Sequence, residues 1–364
     1  MKYYIIAGEA SGDLHGSNVM GSIKKIDKKA KFRFWGGEKM KGIGGEIVKH
    51  VNQLSFMGFW EVLKNIKTIL KNISFCKSDI NTYQPDKIIY IDYPGFNMVI
   101  AKWAKINGFQ NHFYISPQIW AWKESRIKKI KRYIDYLYVI LPFEKQYYKQ
   151  KHNLDVHYVG HPLVEIISNE KKNTDLFTFE LTKPIIALLP GSRKQEIKKM
   201  IPVFKSVINQ FSDYEFIIAG VSNIRKEWYD KFLKDDKIKI VYDKTYNLLK
   251  RSTAAIVTSG TATLETALFN VPQIVCYKSS LFSYLVGKIF IKLKFISLVN
   301  IIMEKEVVKE LIQNDCTKRN IVYELSQLLK NENILRVKKE YEKLRGRLGG
   351  EETSLKVAKL ITKV

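Results

Sequence analysis

The chain has 364 residues, 46% of them hydrophobic, which is enough to bury the cores of two domains and excludes a disordered protein. Sixty-one basic against thirty-six acidic side chains give a formal net charge of +25, which favours nucleic acid, acidic lipid or a phosphorylated substrate as partner. A lysine-rich composition that only solvates the surface explains this charge equally well. Three scattered cysteines argue against a disulfide framework or a zinc site and fit a reducing, cytoplasmic compartment. No apolar run reaches the roughly eighteen residues of a spanning helix.

The first half of the chain alternates short apolar runs with amphipathic stretches. This order predicts strands and helices in turn, and therefore a parallel sheet covered on both faces. The predicted strands are Tyr3–Ala7, Phe32–Trp35, Lys87–Ile91, His112–Ile115, Tyr136–Leu141 and Val156–Val159.

The second half repeats the alternation after a polar, charged segment, residues 167–183, which has the composition of a linker. Residues 1–166 and 184–345 are therefore predicted to form two doubly wound, Rossmann-like α/β domains. The two domains are expected to face a cleft, with ligands at the carboxyl ends of the strands. The predicted strands are Ile185–Leu189, Glu215–Ala219, Ile238–Val241, Ala254–Thr258 and Gln273–Cys276.

The end of the chain, residues 346–364, begins with a glycine-rich break and continues as an amphipathic helical segment. This segment either packs back on the first domain or exchanges with a second chain. A homodimer is therefore one possible assembly.

The first loop follows strand Tyr3–Ala7 and reads GEASGDLHG. Its glycine spacing differs from the G-x-G-x-x-G of dinucleotide-binding dehydrogenases, which argues against a nicotinamide cofactor. Ser11 and Asp13 are good capping residues for the helix that follows, with or without a ligand. Glu9 follows the end of the strand, where its carboxylate is predicted to face the cleft.

Asp92 follows another buried strand in the sequence IDYPGFN, where proline and glycine turn the chain away from the sheet. A carboxylate at this place is a candidate general base for a sugar hydroxyl. A cap or turn residue is the competing interpretation. His161, in the turn GHPL, is a second candidate base, although a single histidine in such a turn is more often structural.

Trp120 and Trp122 lie on the loop SPQIWAWK, which leads into a basic segment that includes Arg126. Aromatic and basic side chains together bind nucleic acid by stacking, or hold a sugar phosphate. They also fill a core beside a solvated helix, so the pattern alone does not choose.

Apolar residues from Phe59 to Ile73 recur at helical spacing with lysines on the opposite side. The common meaning is a helix packed on its own sheet. The alternative is a helix that lies in a lipid interface, with Trp60 and Lys64 as anchors. The apolar stretch Leu281–Met303 has the same two interpretations.

Two loops of the second half have the composition of phosphate-binding loops. In LLPGSRKQE, Gly191 permits a close turn, Ser192 is expected to cap the next helix, and Arg193 lies where a helix N-terminus attracts anions. The second loop follows strand Ala254–Thr258 and reads SGTATLE. Two such loops in one domain predict a nucleotide diphosphate.

The second loop offers hydroxyl groups and one carboxylate. Its residues are Ser259, Gly260, Thr261 and, one turn into the next helix, Glu265. The carboxylate is an acceptor suited to ribose hydroxyls, whereas Arg193 of the first loop is suited to phosphate oxygens.

Taken in order, these segments resemble the lipid-A-disaccharide synthase family, which are inverting glycosyltransferases of the two-domain GT-B fold. The resemblance spans nearly the whole chain, and the ordered set is specific although most motifs are weak singly. The matching segments are AGEASGD, the glycine pair Gly36-Gly37, MGFWEVL, IDYPGFN, SPQIWAW, LPFE, GHPL, LLPGSR, SGTATLE, SLVN and Glu310–Gln313.

The resemblance implies transfer of 2,3-diacylglucosamine from UDP to the 6-hydroxyl of 2,3-diacylglucosamine 1-phosphate, with release of UDP. It makes Asp92 the plausible base and adds Glu9, Asn300 and Gln313 to the residues that line the cleft. It implies no metal and no other cofactor. Both substrates carry acyl chains, so peripheral contact with the anionic inner membrane is expected. The residues expected on the acceptor and membrane side of the first domain are Ser11, Asp13, Trp60, Lys64, Trp120, Trp122 and Arg126.

Two positions depart from the pattern of many family members. Gly95 replaces a second aspartate after Asp92, which removes one competitor for the role of base. Val299 replaces a proline beside Asn300. The alternatives are another UDP-sugar enzyme of the same fold, a glycosyltransferase or an epimerase, and a basic nucleic-acid-binding protein. The two phosphate-type loops argue against the last, since a groove binder does not require them.

Overall fold

The computed structural model describes residues 1–54, 65–172, 183–233, 238–278 and 294–363. The chain folds into two compact units, the first formed by Met1–Glu165 with Leu348–Val364 and the second by Ile166–Arg347. Each unit contains one parallel sheet with helices between its strands. The predicted α/β class with two doubly wound domains is confirmed.

The first unit has a 7-stranded sheet in the order β3-β2-β1-β4-β5-β6-β7, and every pair of neighbours is parallel. Its strands are β1 Lys2–Ala7, β2 Lys31–Gly36, β3 Glu46–His50, β4 Lys87–Ile91, β5 Asn111–Tyr114, β6 Tyr136–Val139 and β7 His157–Tyr158. Its helices are α1 Ala10–Ile26, α2 Glu38–Ile43, α3 Ile66–Tyr83, α4 Pro94–Ile106, α5 Ile127–Tyr133 and α6 Pro142–His152, and α7 Pro162–Lys172 leads into the second unit.

The second unit has a 6-stranded parallel sheet in the order β10-β9-β8-β11-β12-β13. Its strands are β8 Ile185–Leu189, β9 Glu215–Gly220, β10 Lys239–Tyr242, β11 Ser252–Thr258, β12 Gln273–Tyr277 and β13 Lys309–Ile312. Its helices are α8 Lys194–Ile208, α9 Lys226–Leu233, α10 Thr245–Arg251, α11 Thr261–Leu268, α12 Leu298–Met303, α13 Lys318–Leu328 and α14 Asn331–Arg347, and the last helix of the chain, α15 Thr353–Lys363, belongs to the first unit.

The central strands form the cores. In β4 every residue is buried, as are all residues of β8, and in β1 only Lys2 is exposed. Strands covered on both faces have continuous rather than alternating apolar sequences. This is why the central strands were recognisable as short apolar runs.

Two edge strands were missed because they lack such runs. β3 reads EIVKH and β13 reads KELI, and each mixes charged with apolar residues, as is usual where one side of a strand has no neighbour. Residues 167–172 of the predicted linker continue helix α7, and the linker itself stays a prediction. Residues 173–182 lie outside the described part of the chain.

Opposite charges hold the terminal helix α15 at its two ends. Glu165 accepts a hydrogen bond from the backbone N–H of Ser354 at 2.8 Å and another from its hydroxyl. At the other end the buried ammonium of Lys87 donates to the carbonyl of Ile361. A carboxylate at the N-terminus and a cation at the C-terminus both complement the helix dipole. Exchange of this helix with a second chain, and a homodimer, stay predictions.

We expect Glu165→Gln to lower the free energy of unfolding by about 1–2 kcal/mol, because the charge–dipole attraction and one strong hydrogen bond are weakened. Urea denaturation followed by circular dichroism measures the change. The control is Glu332→Gln, which makes the same substitution at an exposed position in the first turn of α14 and should change the stability by less than about 0.5 kcal/mol. Equal effects of the two substitutions would contradict the role given to Glu165.

Candidate active site at two switch points

In each sheet the strand order reverses direction at one point. The reversal falls between β1 and β4 in the first unit and between β8 and β11 in the second. Loops that leave the carboxyl ends of these two strands run to opposite sides and open a crevice, which is where doubly wound sheets bind ligands. The sequence patterns predict a functional role for all four loops at the two switch points.

The loops at the first switch point touch each other. A Cβ atom on Gly8 would lie 2.4 Å from the ring of Tyr93, so only glycine allows the β1 loop to pass this ring. The contact brings the segment that carries Glu9 to the segment that carries Asp92. The grouping of these two carboxylates agrees with the prediction that both follow strands at one edge of the sheet.

Asp92 and Tyr93 both adopt left-handed backbone conformations, with φ of 46° and 50°. Such conformations are unfavourable for residues with side chains and persist where the surroundings enforce them. Asn97 donates from its side chain to the carbonyl of Asp92 at 2.7 Å and from its backbone to the carbonyl of Tyr93 at 3.1 Å. The amide of Asp92 also bonds to Tyr114 at 3.0 Å. These bonds hold the backbone of Asp92 and Tyr93 in this conformation.

The pKa of Asp92 is raised to about 6. The larger cause is desolvation by the surrounding protein, and the smaller cause is the negative charge of Glu9. The residue as a whole is exposed, so a ligand has access to it. A carboxyl with a pKa near neutrality is suited to exchange protons at physiological pH. Gly95 lies in open space, so its missing side chain leaves no packing defect.

Asp13, predicted to contact the acceptor, holds the scaffold. It is 5% exposed, and its oxygens accept from the amides of Gly37, Lys39 and Met40 at 2.7, 3.1 and 3.0 Å. The carboxylate therefore caps α2 rather than its own helix, where Glu9 occupies the N-cap without a side-chain bond. The prediction that Asp13 caps its own helix is wrong, and its role on the acceptor side stays a prediction. Ser11 is exposed in the first turn of α1.

The two tryptophans of the loop after β5 have different surroundings. Trp120 packs edge-on against Phe143 and donates to the buried carboxylate of Glu144 at 3.2 Å. Burial raises the pKa of Glu144 to about 7, although the amides of Ile140 and Leu141 oppose the rise. Trp120 is thus half-buried and anchored.

Trp122 is the exposed member of the pair. Lys123 and Arg126 lie over its ring at 4.6 and 4.9 Å, in cation–π geometry. Trp60 and Lys64, predicted as membrane anchors, lie outside the described residues.

His161 is buried and serves the fold. Its Nδ1 accepts from the amide of Leu163 at 3.2 Å. Burial, followed by the proximity of His15, lowers the pKa of His161 to about 3. A neutral, enclosed imidazole of this kind is a poor general base at neutral pH, so the structural interpretation of His161 is the correct one.

The second switch point encloses a cavity of about 370 Å³. Both phosphate-type loops contribute to its wall. The lining residues are Leu189, Gly191, Ser192, Arg193, Glu196, Ala219, Val221, Thr245, Thr258, Ser259, Gly260, Thr261, Ala262 and Glu265. The structure therefore brings together seven of the nine residues predicted to bind UDP.

The first loop leads directly into α8. Gly191 has φ of +101°, and a Cβ atom there would lie 2.6 Å from Oε2 of Glu196, so the turn requires glycine. Arg193, not Ser192, occupies the N-cap, and no side chain caps this helix, so the capping prediction for Ser192 is wrong. The side chain of Arg193 is 66% exposed, and its guanidinium forms a long ion pair with Glu196, at 3.4 Å. An exposed pair of this kind contributes little, which leaves the cation available to an anion.

The second loop leads into α11 through Gly260, whose φ is +155°. Ser259 donates to the carbonyl of Ile296 at 3.0 Å, which ties this loop to the segment before α12. Thr258 lines the same cavity, and its hydroxyl is buried and has no hydrogen-bond partner among the described residues. Thr258 was not predicted as a site residue, because a threonine inside an apolar strand gives no signal of its own.

Glu265 lies in the wall of the cavity with one carboxylate oxygen fixed. Tyr246 on α10 donates to Oε1 of Glu265 at 2.9 Å. Burial raises the pKa of Glu265, and the bond from Tyr246 opposes the rise. A partly buried, oriented acceptor is suited to hydroxyl groups of a ligand.

Asn300 does not line this cavity and is saturated by the protein itself. Its amide nitrogen donates to Val308 and to Glu310, both at 2.8 Å, while its oxygen accepts from the amides of Val307 and Val308 at 2.8 and 3.0 Å. Two donors and two acceptor positions are the full capacity of an asparagine side chain. The protein itself therefore uses the full hydrogen-bonding capacity of Asn300, and a role for this residue in UDP binding stays a prediction.

Gln313 follows β13 with a left-handed backbone, φ of 52°, and does not line the cavity. One strand, β12, lies between β13 and β11 in the sheet, and β11 is the strand that ends at the cavity. A role for Gln313 in UDP binding stays a prediction.

A sequence profile of the lipid-A-disaccharide synthetase family matches residues 3–364. The chain belongs to this family. A lipid-A-disaccharide synthase of Coxiella burnetii is 38% identical over 336 residues, which cover 90% of this chain and 89% of the relative. The enzyme of the same name from Geobacter metallireducens is 35% identical, with 98% and 95% covered. As a member of the lipid-A-disaccharide synthetase family, the protein is a glycosyltransferase.

Solved structures share the two-domain fold of this family member. The UDP-GlcNAc 2-epimerase of Neisseria meningitidis bound to UDP-GlcNAc matches with a TM-score of 0.69 at 12% identity, and the match covers 100% of both chains. The S. aureus MnaA complex with UDP matches with a TM-score of 0.68 at 15% identity, covering 97% of this chain and 93% of the other. At this identity the likeness concerns the fold alone and gives no support to an epimerase activity.

Across the described ranges, no three His, Cys, Asp or Glu side chains are grouped so that they could hold a metal ion. Within the same part of this synthetase-family chain, no helix is long and apolar enough to cross a bilayer.

We expect Asn300→Ala to cost about 2–4 kcal/mol of stability, because it leaves the amides of Val307 and Val308 without their side-chain acceptor and removes one of the hydrogen bonds to Glu310. The rise in melting temperature on addition of UDP should remain as large as in the unchanged protein. Thermal unfolding with and without UDP measures both quantities. The control is Asn314→Ala at an exposed position, which should be nearly neutral. Loss of the UDP effect in a folded Asn300→Ala variant would contradict this expectation and make Asn300 a ligand for UDP.

Proposed function

We propose that the protein transfers 2,3-diacylglucosamine from UDP to the 6-hydroxyl of 2,3-diacylglucosamine 1-phosphate with inversion, and releases UDP. The observation that carries the proposal is the cavity between the two helix N-termini of α8 and α11, which has a largely exposed guanidinium at one side and an oriented carboxylate at the other. The names of the relatives supply the substrate class.

In this proposal the diphosphate lies against the loops that lead into α8 and α11. Backbone N–H groups at the start of these helices and the Arg193 side chain offset the negative charge that grows on UDP as it leaves. Ser259, Gly260 and Thr261 supply further donors at the α11 end. Glu265 accepts hydrogen bonds from the ribose. None of these contacts requires a metal ion.

Asp92 is the proposed general base. The 6-hydroxyl oxygen of the acceptor forms a bond to the anomeric carbon of the donor sugar as the bond from that carbon to the UDP oxygen breaks, and the hydroxyl proton passes to Asp92. A single displacement inverts the anomeric configuration. Glu9 assists by keeping the pKa of Asp92 high enough to accept this proton.

We expect Asp92→Asn to reduce turnover by a factor of about 10²–10⁴, the usual contribution of a general base, while UDP still raises the melting temperature. Turnover of the unchanged enzyme should fall as the pH falls through about 6, where Asp92 takes up a proton. Glu9→Gln should move this midpoint to lower pH, because it removes a negative charge that raises the pKa of Asp92. A radiolabelled-donor assay from about pH 4.5 to about pH 8, a range that spans the expected midpoint, measures these changes.

The control is Asp155→Asn, the same substitution at a carboxylate that is 85% exposed on the surface of the first unit. Its pH profile and turnover should match those of the unchanged enzyme. Normal turnover of Asp92→Asn would remove Asp92 as the base. Absence of transfer in the unchanged enzyme, with acylated donor and acceptor present, would remove the proposed function itself.

We also propose that the first unit contacts an anionic membrane surface. Ile66, Leu70 and Phe75 are exposed apolar side chains on α3, and Trp122 is exposed beside two cations. Apolar side chains combined with a net charge of +25 favour binding to an acidic lipid interface, where acylated substrates reside. Ser11, Trp120 and Arg126 are proposed to lie on the acceptor side of this unit.

We expect the protein to float with phosphatidylglycerol vesicles and to be released as the salt concentration rises, because screening weakens its attraction to the lipid. A Leu70→Ser, Phe75→Ser variant should bind the vesicles several-fold less. Tyr323→Ser, at an exposed aromatic residue of the second unit, is the matched control. Equal flotation of both variants would contradict the role given to α3.

A further inference from the structure

Tyr246 does not belong to any of the motifs that identify the family, yet it contacts the proposed site. It is the second residue of α10, directly after Thr245, which lines the 370 Å³ cavity. Its hydroxyl donates to Oε1 of Glu265 at 2.9 Å. Tyr246 and Glu265 also line a neighbouring cavity of about 310 Å³, so the pair forms part of the wall between two spaces.

The geometry of this pair fixes the carboxylate. The ring of Tyr246 packs against the ring of Phe269, with centroids 5.2 Å apart, which limits the movement of the hydroxyl. One bond to a rigid donor removes the freedom of the Glu265 side chain to rotate. A carboxylate has about four acceptor positions, so one bond leaves the group able to accept more.

The charge around the pair keeps Tyr246 in its donor form. Burial, the Glu265 carboxylate and Glu170 all raise the pKa of Tyr246 far above its ordinary value. The hydroxyl therefore keeps its proton over the whole physiological range and donates to Glu265 throughout. Asp243 is a further acidic residue in the wall of the neighbouring cavity, beside Glu170 and Glu265.

We propose that Tyr246 is a positioning residue that sets the preference of the site for ribonucleotides, by holding Glu265 towards the vicinal hydroxyls of the ribose. The inference rests on the proposed binding of UDP in this cavity. It adds that the selection against 2′-deoxy and 3′-deoxy nucleotides depends on a tyrosine that does not itself touch the sugar.

Isothermal titration of the full-length protein with UDP, 2′-deoxy-UDP and 3′-deoxy-UDP tests the inference. The unchanged protein should prefer UDP over at least one deoxy analogue by a factor on the order of ten to a hundred, as expected for a hydrogen bond to a charged group. Tyr246→Phe keeps the ring and its packing but removes the hydroxyl. It should weaken UDP binding about five- to tenfold and leave the affinity for that analogue within about twofold.

Two further variants separate positioning from general damage to the fold. Tyr341→Phe is the matched control, since Tyr341 is a buried tyrosine of the same unit whose hydroxyl meets Gln273 at 3.2 Å, away from the cavity, and its selectivity should be unchanged. In a Glu265→Gln background, Tyr246→Phe should have little further effect on the preference, because the two groups act as one. Tyr246→Leu serves as a second hydroxyl-free variant should Tyr246→Phe fail to fold.

The outcomes distinguish the inference from the proposed function. A folded, unchanged protein that does not bind UDP contradicts the proposed function. Binding of UDP without discrimination against either analogue overturns the inference alone. So does full discrimination by a folded Tyr246→Phe or Tyr246→Leu variant, or by Glu265→Gln.

Discussion

The parallel pairing of β1 with β4, and of β8 with β11, is the constraint on which the rest of the structure depends. In each pair, the first strand of the unit lies beside a strand that comes later in the chain. The two strands between them in sequence lie on the other side of the first strand. Because parallel strands all end at the same edge, the loops after the two partners begin side by side, and they then run to opposite faces of the sheet. Residues that are far apart in the sequence are therefore neighbours at one edge of the sheet. Their side chains act together although the segments between them need not touch.

The two switch points have opposite electrostatic character. The first gathers carboxylates, and the mutual repulsion of Glu9 and Asp92 helps to raise the pKa of Asp92. The second gathers donors, namely the helix N-termini, the Gly191 turn and the Arg193 cation. A base and an anion-binding site need these contrasting environments. Two copies of one architecture supply both because the loops, not the strands, differ.

Several family motifs are explained by scaffold contacts rather than by ligands. Asp13 of AGEASGD holds the glycine pair at Gly37, Trp120 of SPQIWAW meets Glu144 of LPFE, and Asn300 of SLVN bonds to Glu310. In each case a buried polar group in one motif satisfies a polar group in another. Leaving such a group unpaired is costly, so the partners are needed together whether or not a ligand is bound.

The sequence by itself determined the α/β class, the central strands and the loops that follow them, because continuous apolar runs and glycine turns depend on local physics. It also determined the family, since the motifs occur in a specific order. The edge strands β3 and β13 escaped detection because half-exposed strands mix charged and apolar residues.

Tertiary structure alone decided which polar residues remain for a ligand. Asp13 and Asn300 lie in family motifs, as Asp92 and Glu265 do, yet backbone amides of the protein itself bond to the side-chain oxygens of the first two. The partner of Glu265, Tyr246, likewise comes from a different helix. Hydrogen-bond capacity is finite, and which groups consume it depends on distances that no local pattern encodes.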